Sequence, residues 1–174
     1  MSLKRVIVIG STGSGKSALA RTLGKILRIP VYHLDMLYWR SGWTRPPVVE
    51  WEEIQRDLID REKWVIDGMY TQSLDMRLIA CDTIIFLDFP RWITTYRIIR
   101  RWLQYSGKNR PDVTAGCREK LKWDLIKLAW NFPKNKRPTL LDKIGMFPEK
   151  KLITLTSSSE VQTVLMELSQ SEHR

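Results

Sequence analysis

The stretch Val6–Leu23, "VIVIGSTGSGKSALARTL", decides the fold. Four β-prone apolar residues run into a glycine-rich turn, which runs into a helix-forming segment. An apolar run that stops at glycine reads as a buried strand. Residues 17–27, with Leu19, Leu23, Ile26 and Leu27 at helical spacing, read as an amphipathic helix. Between them Gly10, Gly15, Lys16 and Ser17 satisfy G-x-x-x-x-G-K-[ST], the phosphate-binding or Walker A loop, in the strand-then-helix setting that motif requires. Each residue type has a physical reason. Glycines let the backbone curl until successive N–H groups of Gly10, Ser11, Thr12, Gly13, Ser14 and Gly15 point into one concavity, and the following helix adds its own unpaired N–H groups and positive dipole end. Lys16 brings a mobile charge to the β- and γ-phosphates. Ser17 offers a hydroxyl to Mg2+. The loop therefore predicts a nucleoside-triphosphate site that also holds Mg2+.

Outward from the loop, apolar runs and helical patterns alternate. Short strands are expected at residues 31–35 ("VYHLD"), 64–67 ("WVID"), 83–89 ("TIIFLDF") and 151–156 ("KLITLT"). Helices are expected at 48–62, 91–105 and 118–132, and a closing helix starts at "SSSE", where Ser157 and Glu160 have capping-box spacing. In the 91–105 helix Trp92, Tyr96, Ile99 and Leu103 form an apolar stripe, while Arg97, Arg100 and Arg101 cluster on another face. Trp123 and Trp130, seven apart, suit a buried stripe on the next helix. Strands that alternate with helices and are apolar throughout describe a parallel sheet covered on both faces.

The 174 residues have the bulk of one domain, residues 1–174, and carry a net charge of +10. Twelve of the 29 Lys and Arg but only three of the 19 Asp and Glu lie between residues 97 and 137, so nearly all the excess charge belongs to that quarter. Such a segment seeks a polyanion, either nucleotide phosphates or nucleic acid. Neither a bilayer-length apolar run nor a signal-peptide core is present. The two cysteines, Cys81 and Cys117, make no disulfide framework, so the expectation is a cytoplasmic protein without a membrane partner.

Ligands of an open parallel sheet collect at the carboxyl ends of its strands. Asp67, followed by Gly68, suits a role in holding Mg2+ through water. Asp35 can take a proton from an attacking hydroxyl, orient the acceptor, or bind the metal's water shell. Asp88 precedes Phe89-Pro90 and reads as a cap for the 91–105 helix, and His33 as a packing residue. Phosphoryl transfer needs cations around the migrating group with water kept out. Arg97 and Arg101, one helical turn apart, and Arg137 can supply them. Trp39 and Trp43 can line an acceptor pocket or pin a flap. The competing reading is a nucleic-acid surface, with Trp102, Tyr105, Trp123 and Trp130 interleaved among the cations as stacking side chains.

With these motifs placed, the chain resembles the small P-loop kinases, among them adenylate and shikimate kinases and their nucleoside-kinase relatives. "LDFPRWITTYRIIRR" matches the adenylate-kinase pattern through Leu87, Asp88, Pro90, Arg97 and Arg101. That likeness implies Arg97 against the adenine, Arg101 at the phosphates, and a basic helical lid over about residues 105–137. More closely, "YHLDMLYW", "IDGMY", "DTIIFLDFPRW", "RPD" and "WNFPK" resemble, in this order, the bacterial DNA topology modulation protein family, over roughly residues 5–157. Met69 departs from the asparagine expected there, so no amide role carries over. The fold implied is a three-layer α/β P-loop NTPase domain with a five-stranded parallel sheet ordered 2-3-1-4-5. The function implied is Mg2+-dependent transfer of the ATP γ-phosphate to a small acceptor such as a nucleoside or nucleotide, with nucleotide-dependent DNA binding as the alternative.

Overall fold

A computed structural model of the chain describes residues 3–106 and 122–172. Its centre is β1 (Arg5–Gly10), flanked by β3 (Trp64–Asp67) and β4 (Thr83–Leu87), with β2 (Val31–His33) and β5 (Lys151–Leu155) at the edges. All neighbours are parallel, giving the order 2-3-1-4-5, and Ile7 stands level with both Ile66 and Ile84. Because strand side chains alternate faces, the apolar run of β1 feeds two cores. Ile7 and Ile9 pack with Trp64, Ile66, Ile84 and Phe86 beneath α3 (Val48–Ile59), α4 (Leu74–Ala80) and α7 (Arg137–Gly145). Val6 and Val8 pack with Val65, Ile85 and Leu87 beneath α1 (Lys16–Leu27) and α8 (Ser158–Glu172). This is the three-layer arrangement expected from the strand–helix alternation.

Several elements differ from the sequence reading. β2 stops at His33, and Leu34 and Asp35 belong instead to a short helix, α2 (Leu34–Tyr38), which turns the chain off the sheet edge. Helices α4 and α7 were not anticipated. Both are short, and α7 announces itself only by a proline in its first turn. α6 (Trp123–Asn135) has Lys122 as its N-cap rather than starting at 118, and it continues through Pro133. Residues 107–121, which hold the start of the expected 118–132 helix, a little under half of the expected lid, and Cys117, lie outside the described residues.

α5 (Arg91–Tyr105) has the expected limits, but its stripe faces solvent: Trp92 is 64 %, Tyr96 62 % and Leu103 66 % exposed. The helix buries Thr94 and Ile98 instead, because that side lies on the phosphate loop, where bulk is not tolerated. A Cβ on Gly13 would come within 2.3 Å of the Thr94 carbonyl oxygen. Trp123 and Trp130 are likewise exposed rather than core, with the Arg91 guanidinium 4.6 Å from the Trp130 ring centre. The start of α8 keeps its capping box with one change. Ser157 Oγ accepts from the Glu160 amide at 3.3 Å, and the Glu160 carboxylate reaches back one residue further, to the amide of Thr156 at 2.7 Å. Among the described residues no helix is long and apolar enough to cross a membrane.

Candidate active site

β1 delivers its last residue, Gly10, to the carboxyl edge of the sheet, and the loop to Lys16 curls there. Gly13 (φ +81°) and Gly15 (φ +97°) occupy left-handed conformations that side chains resist, and Gly15 is the N-cap of α1. The start of α1 therefore opens into a cavity of about 500 Å3, lined by Thr12, Gly13, Gly15, Lys16 and Ser17 on the loop side. Lys16 Nζ lies 2.8 Å from the Ser11 carbonyl oxygen, folded over the loop it would leave to meet a phosphate.

Two carboxylates stand across from the loop. Asp67, the last residue of β3, accepts from Ser17 Oγ at 2.7 Å and faces His33 Nδ1 at 2.5 Å. One hydroxyl and one carboxylate brought together suit Mg2+, which takes its remaining ligands from phosphates and water. His33 was read as packing; it is half of this pair, because β2 and β3 are parallel and in register, which sets His33 level with Asp67. Asp35, in the first turn of α2, lines the same cavity and accepts from the Tyr70 hydroxyl at 2.7 Å. Burial and the neighbouring Asp35 charge push the Tyr70 phenol far above its ordinary range, so it stays a proton donor at any working pH.

The far wall is aromatic. Trp39 and Trp43 meet edge to face at 5.3 Å, Tyr38 bridges Trp39, Trp51 and Tyr70, and Lys122 Nζ sits 4.0 Å from the Trp43 ring centre. Trp39 and Trp43 both line the cavity.

Arg97 and Arg101 both reach this cavity from α5. Arg97 donates to the Ser14 carbonyl and to Ser158 Oγ, each at 2.9 Å, and lies 4.5 Å from the Phe89 ring centre. Partial burial depresses its pKa. It also borders a second cavity of about 360 Å3, between the loop and Phe89, Ser158, Val161, Gln162 and Leu165. Arg137 is elsewhere. At the start of α7 it clasps both oxygens of Asp88 through Nε at 2.9 Å, with a further contact from its terminal nitrogen at 2.8 Å. Asp88 is thus not the cap of α5, whose N-cap is Pro90 with no side-chain bond.

One group was missed altogether. Arg77 on α4 is fully buried and donates to three consecutive carbonyls, Gly68 at 2.9 Å, Met69 at 3.0 Å and Tyr70 at 3.1 Å. Burial lowers its pKa to about 10, so it remains charged near neutrality. Met69 contributes a wall of the cavity and a carbonyl to Arg77, uses for which the expected amide is not needed.

A phosphate loop closing the central strand of a 2-3-1-4-5 parallel sheet, with strand-end carboxylates opposite, defines a P-loop NTPase fold. No protein-family model matches the chain, and no curated protein does either. Among solved structures the chain is similar to shikimate kinase from Acinetobacter baumannii in complex with shikimate, at 16 % identity and TM-score 0.64 over 98 % of this chain and 93 % of that one. It is also similar to shikimate kinase from Bacteroides thetaiotaomicron (13 %, TM-score 0.54, 99 % of each chain). A gluconokinase from Sinorhizobium meliloti 1021 has the same fold at 15 % identity and TM-score 0.52, over 99 % of this chain and 97 % of that one. These are likenesses of fold.

Proposed function

We propose that this chain is an ATP- and Mg2+-dependent phosphotransferase acting on a small acceptor, a nucleoside or nucleotide. The observation that supports this best is convergence: Lys16, Ser17 with Asp67, Asp35, Arg97 and Arg101 all border one cavity. Solved structures of similar fold carry kinase names. Their acceptors, shikimate or a sugar acid, are the competing choices for this pocket. The aromatic wall of Trp39, Trp43 and Tyr70 favours a planar base, which stacks on such rings.

In this reading the triphosphate lies in the loop with Lys16 at its β- and γ-phosphates. Its base enters the second cavity, between Phe89, Leu165 and the Arg97 guanidinium. Ser17 and Asp67 would hold Mg2+, which when bound supplies charge neutralisation across those phosphates. Asp35 takes the proton of the acceptor hydroxyl as that oxygen bonds to the γ-phosphorus. The bond from phosphorus to the β–γ bridging oxygen breaks and ADP leaves. Arg101 faces the charge on the migrating group, and Arg137 would join it by exchanging Asp88 for a phosphate. The chain would act as one domain, with α6 the described part of its lid.

The test is ADP release across nucleosides, nucleoside monophosphates, shikimate, gluconate and other hydroxy acids, with Lys16→Ala as blank. Acceptor-dependent turnover absent from the variant is expected; its absence with every acceptor refutes the reading. Asp35→Asn should cripple transfer to a hydroxyl and spare transfer to a phosphate, which needs no base.

One observation favours a second reading. Trp123 and Trp130 are exposed beside Lys127 and Lys134, as stacking residues on a basic surface would be. Together with the motif resemblance to DNA topology modulation proteins, this suggests nucleic-acid binding by α6. It predicts affinity that falls steeply with salt. Binding that ignores salt, or none at low ionic strength, refutes it.

A further inference from the structure

Asp35 sits in the first turn of α2, a helix of five residues. What faces it is Tyr70, on the turn that leaves β3. That turn is unusual. Gly68 has φ +135°, and Tyr70, a bulky residue, has φ 25° and ψ 69°, a conformation that persists only where its surroundings impose it. The imposing group is Arg77. Successive carbonyls of an extended chain point to opposite sides, yet those of Gly68, Met69 and Tyr70 all end on one guanidinium. The consequence is that the Tyr70 ring folds back against Tyr38 and Trp51, at 4.7 and 5.0 Å between ring centres, with its hydroxyl on Asp35.

We infer that Arg77 and Tyr70 are positioning residues for the acceptor chemistry: the buried guanidinium fixes the 68–70 turn, and the turn holds the Tyr70 hydroxyl on Asp35 so that the carboxylate keeps its aim into the cavity beside the phosphate loop. This rests on the reading of Asp35 as the group that meets the acceptor. The same turn begins at Asp67, so one buried cation fixes the spacing between the Mg2+-side and acceptor-side carboxylates. The Arg77 brace reaches Asp67 through the peptide that follows it and through the attraction between the two charges, whereas it reaches Asp35 through the Tyr70 hydrogen bond, which a single atom deletion removes.

Tyr70→Phe is the decisive variant, because it keeps the ring packing and loses only the donor. With an acceptor that the wild type phosphorylates through a hydroxyl, kcat should fall about 10- to 100-fold, the scale of a misaimed catalytic group, while KM for ATP and the melting temperature stay close to wild type. In an Asp35→Asn background the same change should cost less than twofold, since the group being aimed is gone. Arg77→Lys, which keeps the charge but reaches fewer carbonyls, should fall between wild type and Tyr70→Phe in kcat. Tyr70→Phe with unchanged kcat, or an equal loss with and without Asp35, overturns the inference alone. A wild type with no acceptor-dependent turnover overturns the phosphotransfer reading and this role with it.

Discussion

The contact between α5 and the phosphate loop puts two arginines over the site, and Gly13→Ala tests it. Gly13 has φ +81°, which costs an alanine about 1–2 kcal/mol. Its Cβ would also lie 2.3 Å from the Thr94 carbonyl oxygen and 2.9 Å from Ile98 Cγ1. Contacts of 3.4 Å or more are ordinary, so loop or helix must retreat by about 1 Å, and overpacking of that kind costs about 1–3 kcal/mol more. Gly42 supplies the control: its φ is +74°, and among the described residues nothing lies within 4 Å of an added Cβ. Gly42→Ala should show the backbone term alone. At about 2–4 °C per kcal/mol for a chain of this size, Gly13→Ala should melt roughly 6 °C below Gly42→Ala in a calorimetric or fluorescence melt. The two should also part in their response to MgATP. Gly42→Ala should keep the rise in melting temperature that a bound nucleotide gives, and Gly13→Ala should lose most of it, because the displaced loop no longer presents its amides together. A Gly13→Ala protein that melts with or above Gly42→Ala would refute the reasoning, since it would mean that α5 does not press on the loop.

Three further outcomes can be checked. Burial pushes the Cys81 thiol up to about 12, so about one molecule in ten thousand is thiolate at pH 8, and iodoacetamide should label it only after unfolding, read by peptide mass. Arg137→Ala removes a partly exposed pair and should lower the melting temperature by about 2–4 °C, less in 1 M salt; a fall in kcat beyond tenfold at a temperature where the variant is folded would show that Arg137 also leaves Asp88 to serve the phosphates. The Glu160 carboxylate is held below its ordinary 4.5 by the Thr156 amide, so its cap on α8 is fully present above that value and is lost as pH falls through the lowered one; the protection of amides at the start of α8 against hydrogen exchange, taken relative to their unfolded rates at each pH, should fall below pH 4.5 and hold level above it.

How far the sequence could be read follows the range of the interactions involved. The phosphate loop was legible because it is local: strand, glycines, lysine, hydroxyl and helix follow one another in the eighteen residues from Val6 to Leu23; its place on the central strand was implied by the family resemblance, while the apolar runs that become β3 and β4 pointed only to strands covered on both faces. Asp67 was legible for the same reason, as a carboxylate at the end of such a run. His33 was not, because what gives it a role is the register of β2 on β3, and three residues of edge strand carry no pattern that sets it. Arg77 gave no signal at all. It lies in a seven-residue helix whose pattern resembles any short amphipathic segment, and its meaning comes from carbonyls seven to nine residues earlier that bend toward it.

The apolar faces of α5 and α6 teach something different. A stripe of Trp92, Tyr96, Ile99 and Leu103 is the strongest periodic signal in the helix, and periodicity alone assigns such a face to the core. The helix cannot obey it, because its other side must approach a glycine loop within van der Waals distance. Only Thr94 and Ile98, with Arg97 and Arg101 alongside, leave room for that approach while placing cations at the cavity. Steric demand from the phosphate loop therefore fixes the rotation of α5, and the apolar stripe is turned outward as the result. The arginines and the exposed tryptophan are thus consequences of one packing constraint, which is why Gly13→Ala should disturb nucleotide binding although Gly13 carries no side chain.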